Sequence, residues 1–181
     1  LHLAVLLAAG CQSAPGLFVM AAIGVAAVGL LFHFARRLGD GAGLEPGNTV
    51  FMAGVAAFLL ATSPAHLFHS RTLLAEVDAG LLLLGALIAL IGPPRAARHY
   101  AAGMLLGAAL LSQSRLLPII AILVLWHAWK ERSIAASARL AGGFAAPILL
   151  VEAGYFLLDG ALDRLGATIH LPSYFDQIVL R

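Results

Sequence analysis

Residues Ser63-Pro64-Ala65-His66-Leu67-Phe68-His69-Ser70-Arg71-Thr72-Leu73-Leu74-Ala75-Glu76-Val77-Asp78 set two imidazoles, a guanidinium and two carboxylates between runs that are otherwise nearly pure hydrocarbon. Such groups can bind an anion, hold a metal or move a proton, and ionisable side chains kept beside apolar helices are costly enough to mark function. Arg71 and Glu76 are five residues apart. On a continuous helix they would project roughly 140° from one another, so each is free to face a partner elsewhere. His66 and His69, three apart, could hold a divalent metal from one helical face, although paired histidines at such a position also serve as interface residues. Arg115 repeats the pattern as a lone cation between two apolar runs. It suits a phosphate or pyrophosphate, or equally a side chain snorkelling to headgroups. Glu76 and Asp78 also fit an ordinary solvated helix start, where acids meet the positive end of the helix dipole.

The rest of the chain must position these groups, and its composition says in what medium. Of 181 residues, 61% are hydrophobic and 11% charged, and the mean hydropathy is +0.96. A soluble domain carries about 25% charged residues, so this chain lacks the polar surface to cover itself and reads as a polytopic membrane protein. A net charge of +2 gives no reason to expect nucleic acid as a partner. The single cysteine, Cys11, excludes an internal disulfide and a cysteine-based metal site. No phosphate-binding glycine loop, zinc-protease helix or nucleophile elbow is present.

Apolar runs fall at 1–9, 17–35, 49–63, 78–92, 100–112, 116–129 and 140–158. They predict an all-α bundle of about six to seven transmembrane helices in one domain over 1–181. Several runs are shorter than the roughly 20 residues a span needs, so their flanks or their neighbours must complete the crossing. The first run, and the chain's opening on Leu1 without methionine, lead us to expect a fragment cut at both ends. Leu7-Ala8-Ala9-Gly10-Cys11 also has the form of a lipoprotein cleavage box, but the end of a membrane helix is the simpler reading because another apolar run follows. Gly103-Met104-Leu105-Leu106-Gly107 is a small-xxx-small element, which lets helix backbones approach closely. Residues 38–48, with several glycines and Pro46, read as a flexible loop. Pro64 should end or kink the preceding helix, and Pro118 favours a turn after Arg115. That turn would make 100–129 a hairpin; the alternative is one long helix with Gln113-Ser114-Arg115 inside it.

Given the hairpin, the basic residues sort by side. Arg36, Arg37, Arg95, Arg98, Lys130, Arg132 and Arg139 fall in one set of loops, whereas Arg71, Arg115, Arg164 and Arg181 fall in the other, seven against four. The positive-inside rule makes the first set cytoplasmic and turns the 63–78 segment outward. His33, His99 and His127 then lie at cytoplasmic helix ends, and Trp126 and Trp129 fit an interfacial belt. Glu152, inside the last apolar run, is the deepest acid and needs a polar partner.

In order and in residue type, 1–130 resembles the GT-C superfamily of integral-membrane glycosyltransferases, the group with protein O-mannosyltransferases and the lipid A aminoarabinose transferase. A span ending in Phe34-Ala35-Arg36-Arg37 is followed by one closing on Ser63-Pro64. Then come Ser70-Arg71-Thr72-Leu73-Leu74-Ala75-Glu76 and, one span later, the glycine-spaced helix that leads through Ser112-Gln113-Ser114 to Arg115. The resemblance implies a bacterial inner-membrane enzyme with its site facing the periplasm. Such an enzyme transfers a sugar from a polyprenyl-phosphate donor to a lipid, glycan or protein acceptor. It further implies that Arg71 and Arg115, with His66 and His69, bind the lipid phosphate, and that Glu76 and then Asp78 are the acids of the site. Glu76 takes the position of the family's second acid, usually aspartate, while the general base would lie in a loop before Leu1. No cofactor is fixed by the resemblance; a divalent metal is the one addition the histidines allow. The rival from another class is a transporter or flippase-like permease whose charges line a polar pathway, and a membrane scaffold with solvated loop charges is the third.

Overall fold

Prolines and glycines punctuate the helices. In the computed structural model, residues 14–70, 75–93 and 95–164 are described, and they form seven α-helices with no strand among them. The helices are α1 (Ala14–Gly41), α2 (Pro46–Thr62), α3 (Pro64–Ser70), α4 (Ala75–Ile91), α5 (Ala96–Ser112), α6 (Leu117–Glu131) and α7 (Ile134–Arg164). Pro64 acts as expected: Ser63 before it is held extended at φ −61°, ψ 123°, so α2 stops at Thr62 and α3 starts on the proline. After α5, Gln113 is extended and Ser114–Leu116 makes a single 3-10 turn, with Pro118 in the first turn of α6. The 100–129 segment is therefore a hairpin, which settles the alternative left open by sequence. At the far end of α6, Arg132 adopts a left-handed conformation at φ 47°. The Ser133 hydroxyl then accepts a hydrogen bond from the Ala136 amide at 3.3 Å and caps α7.

Two expectations change. The 38–48 stretch is not a flexible loop: α1 continues to Gly41 and α2 begins at Pro46. Gly43 at φ +74° and a Leu44 amide donating to the Gly39 carbonyl at 3.1 Å close the turn, as a helix C-terminus ending on a left-handed glycine does. Nor do six or seven helices have the length of a span. Phe18–Gly41 and Ile134–Gly160 are long and apolar enough to cross a membrane. Helices α2, α4 and α5 have 17 residues and α6 has 15, about 22–26 Å at 1.5 Å per residue, against roughly 30 Å of hydrocarbon. The 1–9 run lies outside the described residues.

The helices pack in the order α2, α1, α4, α5, α7, with α6 lying against α5 and α7. Successive long helices alternate in direction. Gly39 faces Thr49 across the α1–α2 turn, and Gly85 faces Leu105 while Gly92 faces Arg98 across the antiparallel α4–α5 pair. The α5–α7 pair is different, because the two helices run parallel and touch backbone to backbone. A Cβ on Gly103 would run into the Leu140 carbonyl oxygen and stand 2.7 Å from the Phe144 nitrogen. On Gly107 it would run into the Phe144 carbonyl oxygen and stand 2.7 Å from Pro147 Cγ; on Gly143 it would run into the Tyr100 carbonyl. The small-xxx-small element thus earns its spacing: glycines 103 and 107 stand one turn apart on one face and admit α7. Around this contact Ala86, Leu90, Ala102, Leu106, Leu110, Ile120 and Leu140 form a core drawn from α4, α5, α6 and α7.

Outside that core the surface is apolar. Phe18, Phe51, Phe58, Ile122, Leu125, Leu150 and Phe156 are all exposed, Phe156 at 80%. Soluble monomers rarely leave a contiguous apolar surface of more than a few hundred Å² open to water.

The backbone contact predicts how substitutions will act. Gly107→Val should lower the thermal midpoint in detergent by a cost of about 1–3 kcal/mol, as overpacking does. Gly29, whose Cβ would meet nothing within 4 Å, should accept alanine with no loss, and gain up to about 1 kcal/mol from helix propensity. Circular-dichroism melting of the two variants reads the difference, and equal midpoints would contradict the contact.

Candidate functional site

Alternation of the helices brings α3, the start of α4 and the Ser114–Leu116 turn to one end of the array, hereafter the acidic end. The opposite, basic end collects Arg36, Arg37, Arg95, Arg98, Lys130, Arg132 and Arg139. The two sets of loops inferred from charge alone are therefore two ends of one helical array.

At the acidic end, α3 is a seven-residue helix set between α1, α2 and α4. His66 is half-buried, and its Nε2 lies 3.2 Å from the Gly24 carbonyl oxygen of α1. A carbonyl only accepts, so the ring donates from Nε2 and Nδ1 is left as its acceptor. His66 thus ties α3 to α1 through Nε2, and Nδ1 is its acceptor nitrogen. His69 belongs to α3 and Glu76 to the first turn of α4, but their side chains lie outside the described residues, as does Arg71 altogether. No group of three or more His, Cys, Asp or Glu side chains that could hold a metal occurs among the described residues.

Asp78 departs from the reading as a solvated helix-start acid. It is 1% exposed, fully inside the array in the first turn of α4. A carboxylate is not left in such a place without polar contact, and Asp78 is engaged. Arg115 takes the opposite position, exposed on the 3-10 turn. The two share an end of the molecule, but one faces inward and the other outward, so the described residues do not join them in one pocket. Glu152 is half-buried on α7 and is likewise engaged.

The basic end holds what sequence reasoning missed. His99 and His127, read from sequence only as helix-end residues, are 6% and 0% exposed, and their rings lie 5.1 Å apart between centroids, tilted at 58°. His99 Nδ1 and both ring nitrogens of His127 have no hydrogen-bond partner. Beside His99, the Arg98 guanidinium lies across Gly92, and its Nη1 is buried without a partner. The signal for the histidine pair was present once the hairpin is granted, because Gln113 at the turn stands fourteen residues from each. Trp129 is exposed, and Lys130 Nζ sits 5.1 Å from the centroid of the Trp126 ring, a cation–π arrangement at the rim. His33, unlike His99 and His127, is exposed.

Compared with protein-family models, characterised proteins and solved structures, the chain matches none.

The His66 tie gives a local prediction. His66→Phe should cost about 1 kcal/mol, the net value of one hydrogen bond. It should raise hydrogen exchange at the amides of 64–70 while the helix content of the whole chain stays constant. Unchanged exchange in that segment would show that the bond does not hold α3.

Proposed function

We propose that the protein is a polyprenyl-phosphate-dependent glycosyltransferase of a bacterial inner membrane, working on the outer side. The observation that supports this best is the gathering of α3, the first turn of α4 and Arg115 at one end of the array, opposite the seven basic residues. In this reading α2, α4, α5 and α6 are short spans, completed by their flanks or by local thinning of the bilayer. The apolar outer surface faces lipid, and the basic end faces the cytoplasm.

Each residue then has a task. Arg71 and Arg115 hold the lipid phosphate and stabilise the charge that grows on it as the sugar leaves. Glu76 at the head of α4 handles the proton of the acceptor hydroxyl or orients the acceptor. Asp78 is inside the array, so it positions the start of α4 rather than touching substrate. His66 holds α3 in place beneath the same surface, and His69 is the histidine left to meet the phosphate. The sequence resemblance to GT-C enzymes carries the reaction type, and the absence of any nucleotide-binding motif is compatible with a lipid-linked donor.

A permease is the second reading, and the buried Asp78 is what favours it, since transporters keep ionisable groups inside the helix array.

Transfer from a panel of polyprenyl-phosphate-linked sugars, followed in membranes or detergent, separates the two. Arg71→Ala and Glu76→Gln should each reduce turnover by about 100-fold, and Arg115→Ala should chiefly raise the donor concentration needed for half-maximal rate. Full turnover in both of the first two variants would overturn the site. Uptake of a solute by vesicles containing the protein, abolished by Asp78→Asn with no transfer activity detected, would favour the permease.

A further inference from the structure

Two buried imidazoles face one another at the basic end, far along the array from the proposed transfer site, and nothing in that reading uses them. His99 comes from the first turn of α5 and His127 from the last turns of α6. Three of their four ring nitrogens have no hydrogen-bond partner, and neither nitrogen of His127 has one, so no hydrogen bond joins the rings. Leaving a polar group buried and unpaired is costly, and native structures seldom tolerate it without a reason. A merely structural hairpin contact would be served better by two leucines.

We propose that His99 and His127 form a two-imidazole site for a borderline divalent transition metal, of the zinc, copper or nickel kind. The spacing fits. A tetrahedral metal bound at about 2.0–2.1 Å by each of two imidazole nitrogens holds the two ring centres about 5 Å apart, and here they are 5.1 Å apart. The rings are tilted by 58°, an angle open to two imidazoles on one tetrahedral ion as it is to edge-to-face packing; the unpartnered ring nitrogens are what point to an ion. Imidazole nitrogen selects zinc, copper and nickel over magnesium and calcium, which prefer oxygen. No third His, Cys, Asp or Glu completes the set among the described residues, so the remaining positions go to water or a small anion, and the metal exchanges readily. Glu131, one turn beyond His127 on the same side of α6, offsets part of the cation's charge.

The consequence is mechanical. Ile120 and His127 are the two buried residues of α6, so one of its two anchors is a ligand. A metal bridging His99 and His127 clips the last turns of α6 to the first turn of α5.

The test uses the protein in detergent, stripped with chelator and titrated with copper(II), nickel(II) or zinc(II) chloride. Trp126 and Trp129 are the two tryptophans of the chain and flank His127, so their fluorescence reports a paramagnetic ion bound there. We expect saturable quenching by one equivalent of copper(II) or nickel(II), a raised thermal midpoint with zinc(II), and neither effect with magnesium. His99→Phe and His127→Phe should weaken binding at least tenfold, while the double substitution His66→Ala/His69→Ala should leave it unchanged. Absence of a saturable one-equivalent phase in the wild-type protein would overturn the site, as would the wild-type titration curve persisting in His99→Phe. Should a phenylalanine variant fail to fold, X-ray absorption of the nickel-loaded wild-type protein decides: two imidazole ligands support the site, and fewer than two overturn it.

Discussion

Close approach of two parallel helices at Gly103, Gly107 and Gly143 is the contact on which the remaining arrangement depends. Apolar helices gain little from being brought together in an apolar medium, so association rests on dispersion between surfaces that can come very near. Glycine supplies that nearness on both partners, which is why α5 and α7 meet through backbone while the other pairs meet through side chains. Once α5 and α7 are joined in parallel, α6 must return the chain along their outside, and α4 must take the other flank of α5. The most buried helix of the array, α5, is the one clasped by this contact.

From that frame the two ends acquire different characters. At the acidic end, short α3 and the first turn of α4 are set against α1 by the His66–Gly24 bond, and Asp78 is drawn inside. At the basic end, the same hairpin geometry that places Arg115 at one tip brings His99 and His127 together at the other. An antiparallel pair converts distance from a turn into proximity across it, and both polar groupings are products of that rule.

Much of this architecture was readable from residue types. Pro64 sits where a helix restarts, because a proline forces its predecessor out of helical geometry, and Pro118 sits in the first turn of α6, where its missing N–H costs no hydrogen bond. The pair Gly103 and Gly107 announced a close helix contact without saying with which helix. Charge separation between loops anticipated the two ends. The 38–48 stretch was misread because glycines suggest mobility, whereas here Gly39 packs on Thr49 and Gly43 closes a turn. Apolar composition does not report helix length: several apolar helices have 15–17 residues, and two are long enough to cross a membrane unaided.

By itself, the sequence determined that the chain is helical, where its helices break, and which loops share a charge, since these depend on local backbone preference and on composition. Only the tertiary structure decided what each polar group faces. Asp78 and Arg115 look alike in sequence, each a charge at the edge of an apolar run, yet one is buried and the other exposed. His66 and His127 likewise differ, one bonded to a carbonyl and the other set against a second imidazole. The physical reason is that burial and pairing depend on which helix lies alongside, and that choice is made by glycine contacts far from these residues in the chain.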